Sequence, residues 1–155
     1  MSHVEVNPNF VILSLDCIER AAKSLGLQLN RGQKTWKWYG SWVDDFDKDT
    51  AAYKHAKLTE DYGKSIHAIA NPATPGGYEI GLVRNPDEKV GGFLPIKDKW
   101  GTGKGLEQIV GENCSKLAQH YKHECCQEFA DSKGYSYEWA WEGGNITGTI
   151  TDYNQ

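Results

Sequence analysis

Long apolar runs are missing from this sequence. The longest apolar stretch extends from Phe10 to Leu15 and is interrupted by Ser14, whereas a membrane-spanning helix needs about 20 apolar residues. The first residues, Met1 to Glu5, also lack the basic start and the apolar segment of a signal peptide. We therefore expect a cytoplasmic protein that does not associate with a membrane.

An excess of basic charge is also missing. The chain has 17 Lys and Arg against 21 Asp and Glu, which gives a net charge of −4. Proteins that bind nucleic acid usually carry a clustered basic excess, so nucleic acid is not an expected partner. The negative excess is concentrated between residues 44 and 61, a stretch rich in aspartate.

Catalytic signatures are missing as well. The sequence has no Gly-x-Ser-x-Gly, His-Glu-x-x-His or Cys-x-x-Cys motif, and no Gly-x-Gly-x-x-Gly after a predicted strand. The four cysteines include the adjacent Cys125 and Cys126, and we expect reduced thiols rather than disulfides. These absences favour a binding role over catalysis, and no cofactor is expected.

Two helices are predicted from the spacing of apolar residues. The first covers Leu15 to Leu25, with Ser14 as its N-cap and Gly26 at its end. The second and longer helix covers Leu106 to Ser132 in the C-terminal half. Its predicted buried stripe recurs at helical spacing and consists of Leu106, Ile109, Val110, Cys114, Leu117, Ala118, Tyr121, Cys125 and Phe129.

The remaining periodicity predicts strands. They include an extended N-terminal segment broken by Pro8, a strand from Phe93 to Trp100 made irregular by Pro95, and a closing hairpin around Gly143-Gly144-Asn145. Alternation places Trp139 and Trp141 of that hairpin in the core, as it does Trp36 and Trp38. We expect one α+β domain over residues 1–155. Both helices would cover one face of a mostly antiparallel sheet, and residues 44–64 would form an acidic loop.

Aromatic and acidic residues in the first third of the chain form a candidate partner-binding site. Tyr39 and Trp42 stand beside basic residues and are the aromatic residues of this segment that we expect at the surface. Asp45 and Asp47 follow in the acidic loop. Exposed aromatic side chains beside charges are typical of protein-binding surfaces, so these four residues predict contact with a protein partner.

A glycine-rich stretch before the long helix is a candidate anion site. Gly101, Gly103, Lys104 and Gly105 would place backbone amides and one ammonium group at a helix start. The stretch does not satisfy the Walker pattern, because Asp98 occupies the position of its first glycine and Gly105 follows Lys104. A flexible loop is the plainer interpretation.

Three residues on the long helix are a candidate metal site. His120, His123 and Cys126 follow one another at steps of three, which places them on one side of the helix away from the apolar stripe. A structural zinc site normally has four ligands, and the sequence offers no second pair at a ligand spacing nearby. An ordinary exposed helix face is the alternative.

Short segments along nearly the whole chain are similar to one family. They are Met1-Ser2-His3, Ser14 to Gly26, Lys37-Trp38-Tyr39-Gly40, His67-Ala68-Ile69, Tyr78-Glu79-Ile80-Gly81, Gly105-Leu106-Glu107-Gln108, Lys116 to Tyr121 and Lys133-Gly134-Tyr135. In this order they resemble the hypothetical chloroplast reading frame 35 family of cyanobacteria, plastids and phages. The resemblance implies a small cytoplasmic domain, phage-encoded in some cases, and it assigns no activity and no functional residue.

The sequence therefore predicts a non-enzymatic protein-binding or regulatory domain. The alternative is a small ligand-binding domain or enzyme that uses the anion site between Gly101 and Gly105.

Overall fold

A computed structural model describes residues 4–38, 41–42, 65–98 and 105–153, with only the backbone described at residues 38, 41 and 42. Three α-helices lie in these ranges: α1 (Leu15–Ser24), α2 (Leu106–Val110) and α3 (Ser115–Lys133). The strands are β1 (Val4–Val6), β2 (Gln28–Arg31), β3 (Lys37–Trp38), β4 (Ser41–Trp42), β5 (His67–Ala70), β6 (Ile80–Arg84), β7 (Phe93–Asp98), β8 (Ser136–Glu142) and β9 (Asn145–Thr151).

The largest sheet has five strands in the order β1-β7-β6-β5-β2, and all its pairs are antiparallel. Strands β3 and β4 form one two-stranded sheet, and β8 and β9 form another. The predicted α+β class is confirmed, including a mostly antiparallel sheet and a longer helix in the C-terminal half.

Pro95 lies in β7, an inner strand, although proline cannot donate a ladder hydrogen bond. Its neighbour β1 ends at Val6, the Asn7 N–H donates to the Pro95 carbonyl at 3.1 Å, and the chain pairs with β7 again only at Ile12. A strand residue points its N–H and C=O to the same side. The proline nitrogen therefore faces residues 7–11, which lie between the two pairings with β7 and contain Pro8. Strand β7 tolerates a residue there that cannot donate a hydrogen bond.

Helices α1 and α3 pack on one face of the five-stranded sheet, as expected. The buried cluster joins Ile18 and Ala21 of α1 and Leu117 of α3 with Ile69 and Ile80 of the sheet. Helix α1 begins as predicted, because the Ser14 hydroxyl accepts the Cys17 N–H at 3.1 Å.

Tyr121 fixes α3 against the start of α1. Its hydroxyl oxygen accepts the N–H of Leu13 at 2.8 Å and the N–H of Ser14 at 3.1 Å. The Tyr121 ring also packs against Phe10, with 5.6 Å between the ring centroids. Tyr121 therefore satisfies two backbone donors where the chain enters α1 and ties the two helices together.

Trp36 covers the other face of the sheet and is fully buried. It lies against Gly81 of β6, where an added Cβ would come within 2.6 Å of Trp36 Cδ1 and 2.9 Å of Ile96 Cγ2. The prediction that Trp36 belongs to the core is confirmed, and a side chain at position 81 would displace its indole.

The predicted long helix is interrupted. Gly111 has φ +83° and ψ 165°, and Asn113 and Cys114 have positive φ, so α2 ends at Val110 and α3 begins at Ser115 after one 3-10 turn. Phe129 was predicted in the buried stripe, but it is 49% exposed and Ala130 is buried instead. Among the described residues, no helix has both the length and the apolar content that crossing a membrane requires.

We predict that Tyr121→Phe lowers the free energy of unfolding by about 1–3 kcal/mol, because two backbone N–H groups lose their acceptor while the ring remains. Urea denaturation followed by circular dichroism measures this change. Tyr153→Phe is the matched control, since Tyr153 is 73% exposed. Equal unfolding curves for the two variants would contradict the role given to Tyr121.

Candidate functional site

The C-terminal hairpin forms where the sequence predicted it. Strands β8 and β9 pair from Ser136↔Thr151 to Glu142↔Asn145. Gly143 and Gly144 form the two-residue turn with φ of +57° and +82°, the backbone that a type I′ turn requires. Only two residues separate α3 from β8, so the hairpin folds back directly against the helix.

The inner side of this hairpin carries three aromatic residues that meet two histidines of α3. The His123 ring lies 4.4 Å from Trp139 and 5.5 Å from Tyr137, and the His120 ring lies 5.3 Å from Trp141, measured between centroids. We call these five residues the aromatic–histidine surface. Its members come from elements that are adjacent in sequence, so the short connection after α3 is what assembles it.

Hydrogen bonds hold the hairpin and the helix in this arrangement. His123 Nδ1 lies 2.9 Å from the Tyr137 hydroxyl. Gln119 contacts the hairpin twice: its Nε2 donates to Asn145 Oδ1 at 2.8 Å, and its Oε1 accepts the Ile146 N–H at 3.1 Å. The turn end of the hairpin is therefore tied to the first half of α3.

His120 also reaches the other side of α3. Its Nδ1 lies 2.8 Å from the Ser24 hydroxyl of α1, and that hydroxyl donates its own hydrogen to the Ala21 carbonyl at 2.7 Å. We assign the His120 Nδ1 as the donor to Ser24, because the hydroxyl has one hydrogen and it is already used. His120 thus links α1, α3 and the hairpin.

A cleft of about 330 Å³ lies between α3 and the hairpin. Lys122, His123 and Cys126 line it from the helix, and Tyr137 and Ile150 line it from the strands. Gly148 also lines the cleft, and a Cβ added there would come within 2.6 Å of Tyr137 Cε2. The cleft depends on the missing side chain at position 148, which leaves room for the Tyr137 ring.

The prediction that Trp139 and Trp141 share the core is wrong. Trp139 is 46% exposed and Trp141 is 52% exposed. The hairpin does not join the five-stranded sheet, and the ring contacts of the two indoles are with His120 and His123 of α3. The alternation correctly predicts that both indoles share one face of the strand, but that face is covered only in part.

The three predicted metal ligands lie on the side of α3 that faces the hairpin rather than on a bare helix face. His120 contacts Ser24, His123 contacts Tyr137, and Cys126 lines the cleft. No group of three or more His, Cys, Asp or Glu side chains within the described ranges is arranged to hold a metal ion. The metal prediction gains no support from this arrangement.

The other predicted sites fall mostly outside the described residues. This applies to Tyr39, Asp45 and Asp47, to the side chain of Trp42, and to Gly101, Gly103 and Lys104. The acidic loop at 44–64 lies outside them too. Gly105 is described, has φ +96°, and precedes a helix of only five residues.

Burial shifts the titration of two members of the surface. It lowers the pKa of His120 below its ordinary value, and the nearby His123 lowers it further while Glu124 opposes the shift. Burial also raises the pKa of Tyr137, and Cys126 and Glu124 act in the same direction. The surface therefore favours a neutral imidazole and a neutral phenol.

Comparisons with known proteins return no match: no family model, no curated protein and no solved structure is similar to this chain.

We predict that acidification destabilises the protein partly through His120. Because the folded pKa of His120 lies below the unfolded value near 6.5, the unfolded state binds more protons as pH falls through that value, and the free energy of unfolding falls. Urea titrations at pH 7.5 and pH 5.5 should show a smaller loss for His120→Gln than for the unchanged protein. His67, whose pKa burial also lowers, is present in both proteins and cancels. Equal losses would contradict this assignment.

We predict that Gly148→Ala displaces the Tyr137 ring, breaks its contact with His123 Nδ1 and lowers stability by about 1 kcal/mol, the usual net value of one hydrogen bond. Near-ultraviolet circular dichroism reports the ring environment, and thermal unfolding reports stability. Thr147→Ala is the control, because Thr147 is exposed on the opposite side of the same strand. Indistinguishable behaviour of the two variants would show that position 148 tolerates a side chain.

Proposed function

We propose that this protein is a non-enzymatic protein-binding domain, and that its contact surface is the aromatic–histidine surface of α3 and the hairpin. The observation that carries the proposal is the exposure of two neighbouring tryptophans, Trp139 and Trp141, at 46% and 52%. Tryptophan is among the residues that contribute most to binding energy at protein interfaces. The surface predicted around Tyr39, Trp42, Asp45 and Asp47 lies outside the described side chains and remains a prediction.

The exposed parts of the two indoles are large enough to matter for binding. Covering them would remove on the order of 200 Å² of apolar surface from water, which corresponds to roughly 5 kcal/mol before the costs of association. Exposed apolar side chains that are scattered singly need no explanation. Two indoles on the same side of one strand, backed by histidines that are held by hydrogen bonds, form a continuous and rigid patch.

Rigidity favours recognition at this patch. The His123–Tyr137 contact, the His120–Ser24 contact and the two Gln119 contacts hold the rings before any partner arrives. A preformed surface loses less conformational entropy on binding than a mobile one. The same contacts engage the Nδ1 atom of each histidine and fix the orientation of its ring.

The alternative proposal remains a small ligand-binding domain or enzyme that uses the glycine stretch with Lys104. A thermal-shift panel of nucleotides and phosphorylated metabolites tests it, since a ligand that binds the native state raises the melting temperature. Membership of the hypothetical chloroplast reading frame 35 family, with its cytoplasmic and phage-encoded members, also remains a prediction.

We predict that the double variant Trp139→Ala/Trp141→Ala loses a protein partner without unfolding. The experiment compares proteins captured from host extract by the unchanged protein and by the variant, with quantitative mass spectrometry. A stoichiometric partner should fall by at least about tenfold, because losing two interface tryptophans commonly costs more than 1.4 kcal/mol.

The control for this experiment is Val90→Ala. Val90 is 51% exposed and lies on the loop between β6 and β7. Circular dichroism must show that both variants keep their secondary structure. A partner that is captured equally by all three proteins would place the binding surface elsewhere, and the absence of any stoichiometric partner would contradict the protein-binding role.

A further inference from the structure

The two outer edges of the hairpin differ in how their backbone groups are used. In an antiparallel pair, residues alternate between exchanging hydrogen bonds with the opposite strand and pointing their N–H and C=O outward. In a hairpin closed by a two-residue turn, the residues that flank the turn bond to each other. Glu142 and Asn145 flank the turn here, so they set the alternation for both strands.

The next pair, Trp141 and Ile146, therefore points its backbone groups outward. The structure agrees on β9, because the Ile146 N–H leaves the hairpin and donates to Gln119 Oε1 at 3.1 Å. Continuing at every second residue, Trp141, Trp139 and Tyr137 present the outward N–H and C=O groups of β8. None of these three N–H groups makes a hydrogen bond within the described part of the chain.

An open strand edge usually carries features that prevent pairing with another chain, such as lysine, proline or a bulge. Strand β8 has the sequence Ser-Tyr-Glu-Trp-Ala-Trp-Glu over Ser136–Glu142, with no proline and no lysine. It pairs with β9 without a bulge over its full length. The edge is therefore long and regular, and the charges that it carries are the carboxylates of Glu138 and Glu142, which disfavour pairing with an acidic strand.

The side chains along this edge specify what can pair with it. On the inner side, Trp139 and Trp141 are half exposed. On the outer side, Glu138 and Glu142 are exposed, and neither makes a salt bridge within the described residues. A strand added beside β8 would place alternate side chains against the indoles and against the carboxylates.

We propose that β8 binds an extended segment of a partner protein by antiparallel strand addition, and that this segment alternates apolar residues with lysine or arginine. The apolar residues contact Trp139 and Trp141, and the basic residues lie opposite Glu138 and Glu142. The backbone of the segment bonds to the outward groups of Tyr137, Trp139 and Trp141. This inference rests on the proposed protein-binding function and names the chemistry of the partner.

A second copy of the chain fits this edge poorly. Antiparallel pairing of β8 with itself around Trp139 would bring Glu138 and Glu142 of both copies onto one face of the new sheet. In that register Glu138 lies opposite Ala140 of the other copy and diagonal to its Glu138 and Glu142, so the carboxylates repel one another and no basic residue of β8 offsets them. The acidic outer side therefore selects a basic strand over β8 itself.

The test uses the full-length protein and three acetylated heptapeptides. One alternates lysine with valine (Lys-Val-Lys-Val-Lys-Val-Lys), one replaces every lysine with glutamate, and one is the lysine peptide with N-methyl groups on its valines. In antiparallel pairing the valines are the residues whose N–H groups face β8. Methylation therefore removes these donors, places methyl groups between the two strands and keeps the side chains. NMR titration with amide hydrogen exchange is the measurement.

We expect the lysine peptide to shift and protect the amides of Tyr137, Trp139 and Trp141 and to leave those of Glu138 and Ala140 protected as before. The glutamate peptide should bind about tenfold more weakly, from the loss of two cross-strand charge pairs, and the N-methylated peptide should not protect the amides. Glu138→Lys/Glu142→Lys should reverse the preference between the two charged peptides. Glu88→Lys, on the exposed loop between β6 and β7, should not.

Equal binding of the N-methylated peptide would overturn strand addition, as would unchanged exchange of the three β8 amides at millimolar peptide. If such a result were found while Trp139→Ala/Trp141→Ala still loses its captured partner, the protein-binding function would stand and only the mode of binding would fall. If capture does not depend on the tryptophans but the lysine peptide protects β8, strand addition stands and the protein-binding role proposed for the tryptophans falls.

Discussion

The structure depends on the two backbone hydrogen bonds that the Tyr121 hydroxyl accepts at the start of α1. They join the middle of α3 to a turn more than a hundred residues earlier in the chain. With this contact in place, the apolar side of α3 lies against the sheet, and the position of its opposite side is fixed as well. The residues of α3 that line the cleft beside the hairpin, among them Gln119, His123 and Cys126, therefore lie on the side opposite Tyr121.

Helix α3 is covered on two sides, and the two sides use different chemistry. Leu117 and Tyr121 face the buried cluster, while Gln119, His123 and Cys126 face the hairpin. The second side is held by hydrogen bonds and ring contacts, and a cleft remains between helix and strands. A hairpin of two strands is marginally stable alone, so its attachment to α3 supplies the stability that makes an ordered surface there.

The sequence predicted local features better than it predicted which elements cover them. Ser14 as a cap, Trp36 as core and the Gly143-Gly144 turn follow from local rules, and all three are found. The break at residues 111–114 was missed because the apolar spacing continues through it, although the φ of +83° at Gly111 suits glycine. The exposure of Trp139 and Trp141 was missed because alternation identifies a face and not what covers it. The signals that could have revealed the site were the two-residue connection after α3 and the histidines at a spacing of three on the side it must contact.

Gln119 limits how the hairpin can pair with other strands. Its side chain occupies the outward N–H of Ile146 on β9, while the corresponding groups of β8 are unoccupied within the described residues. A fibre can grow by strand pairing only if both outer strands of the sheet in every subunit are free to pair. Because the outward N–H of Ile146 is already bonded within the molecule, a strand added to β9 would find one donor fewer near the turn than a strand added to β8, which disfavours growth through both edges of the hairpin.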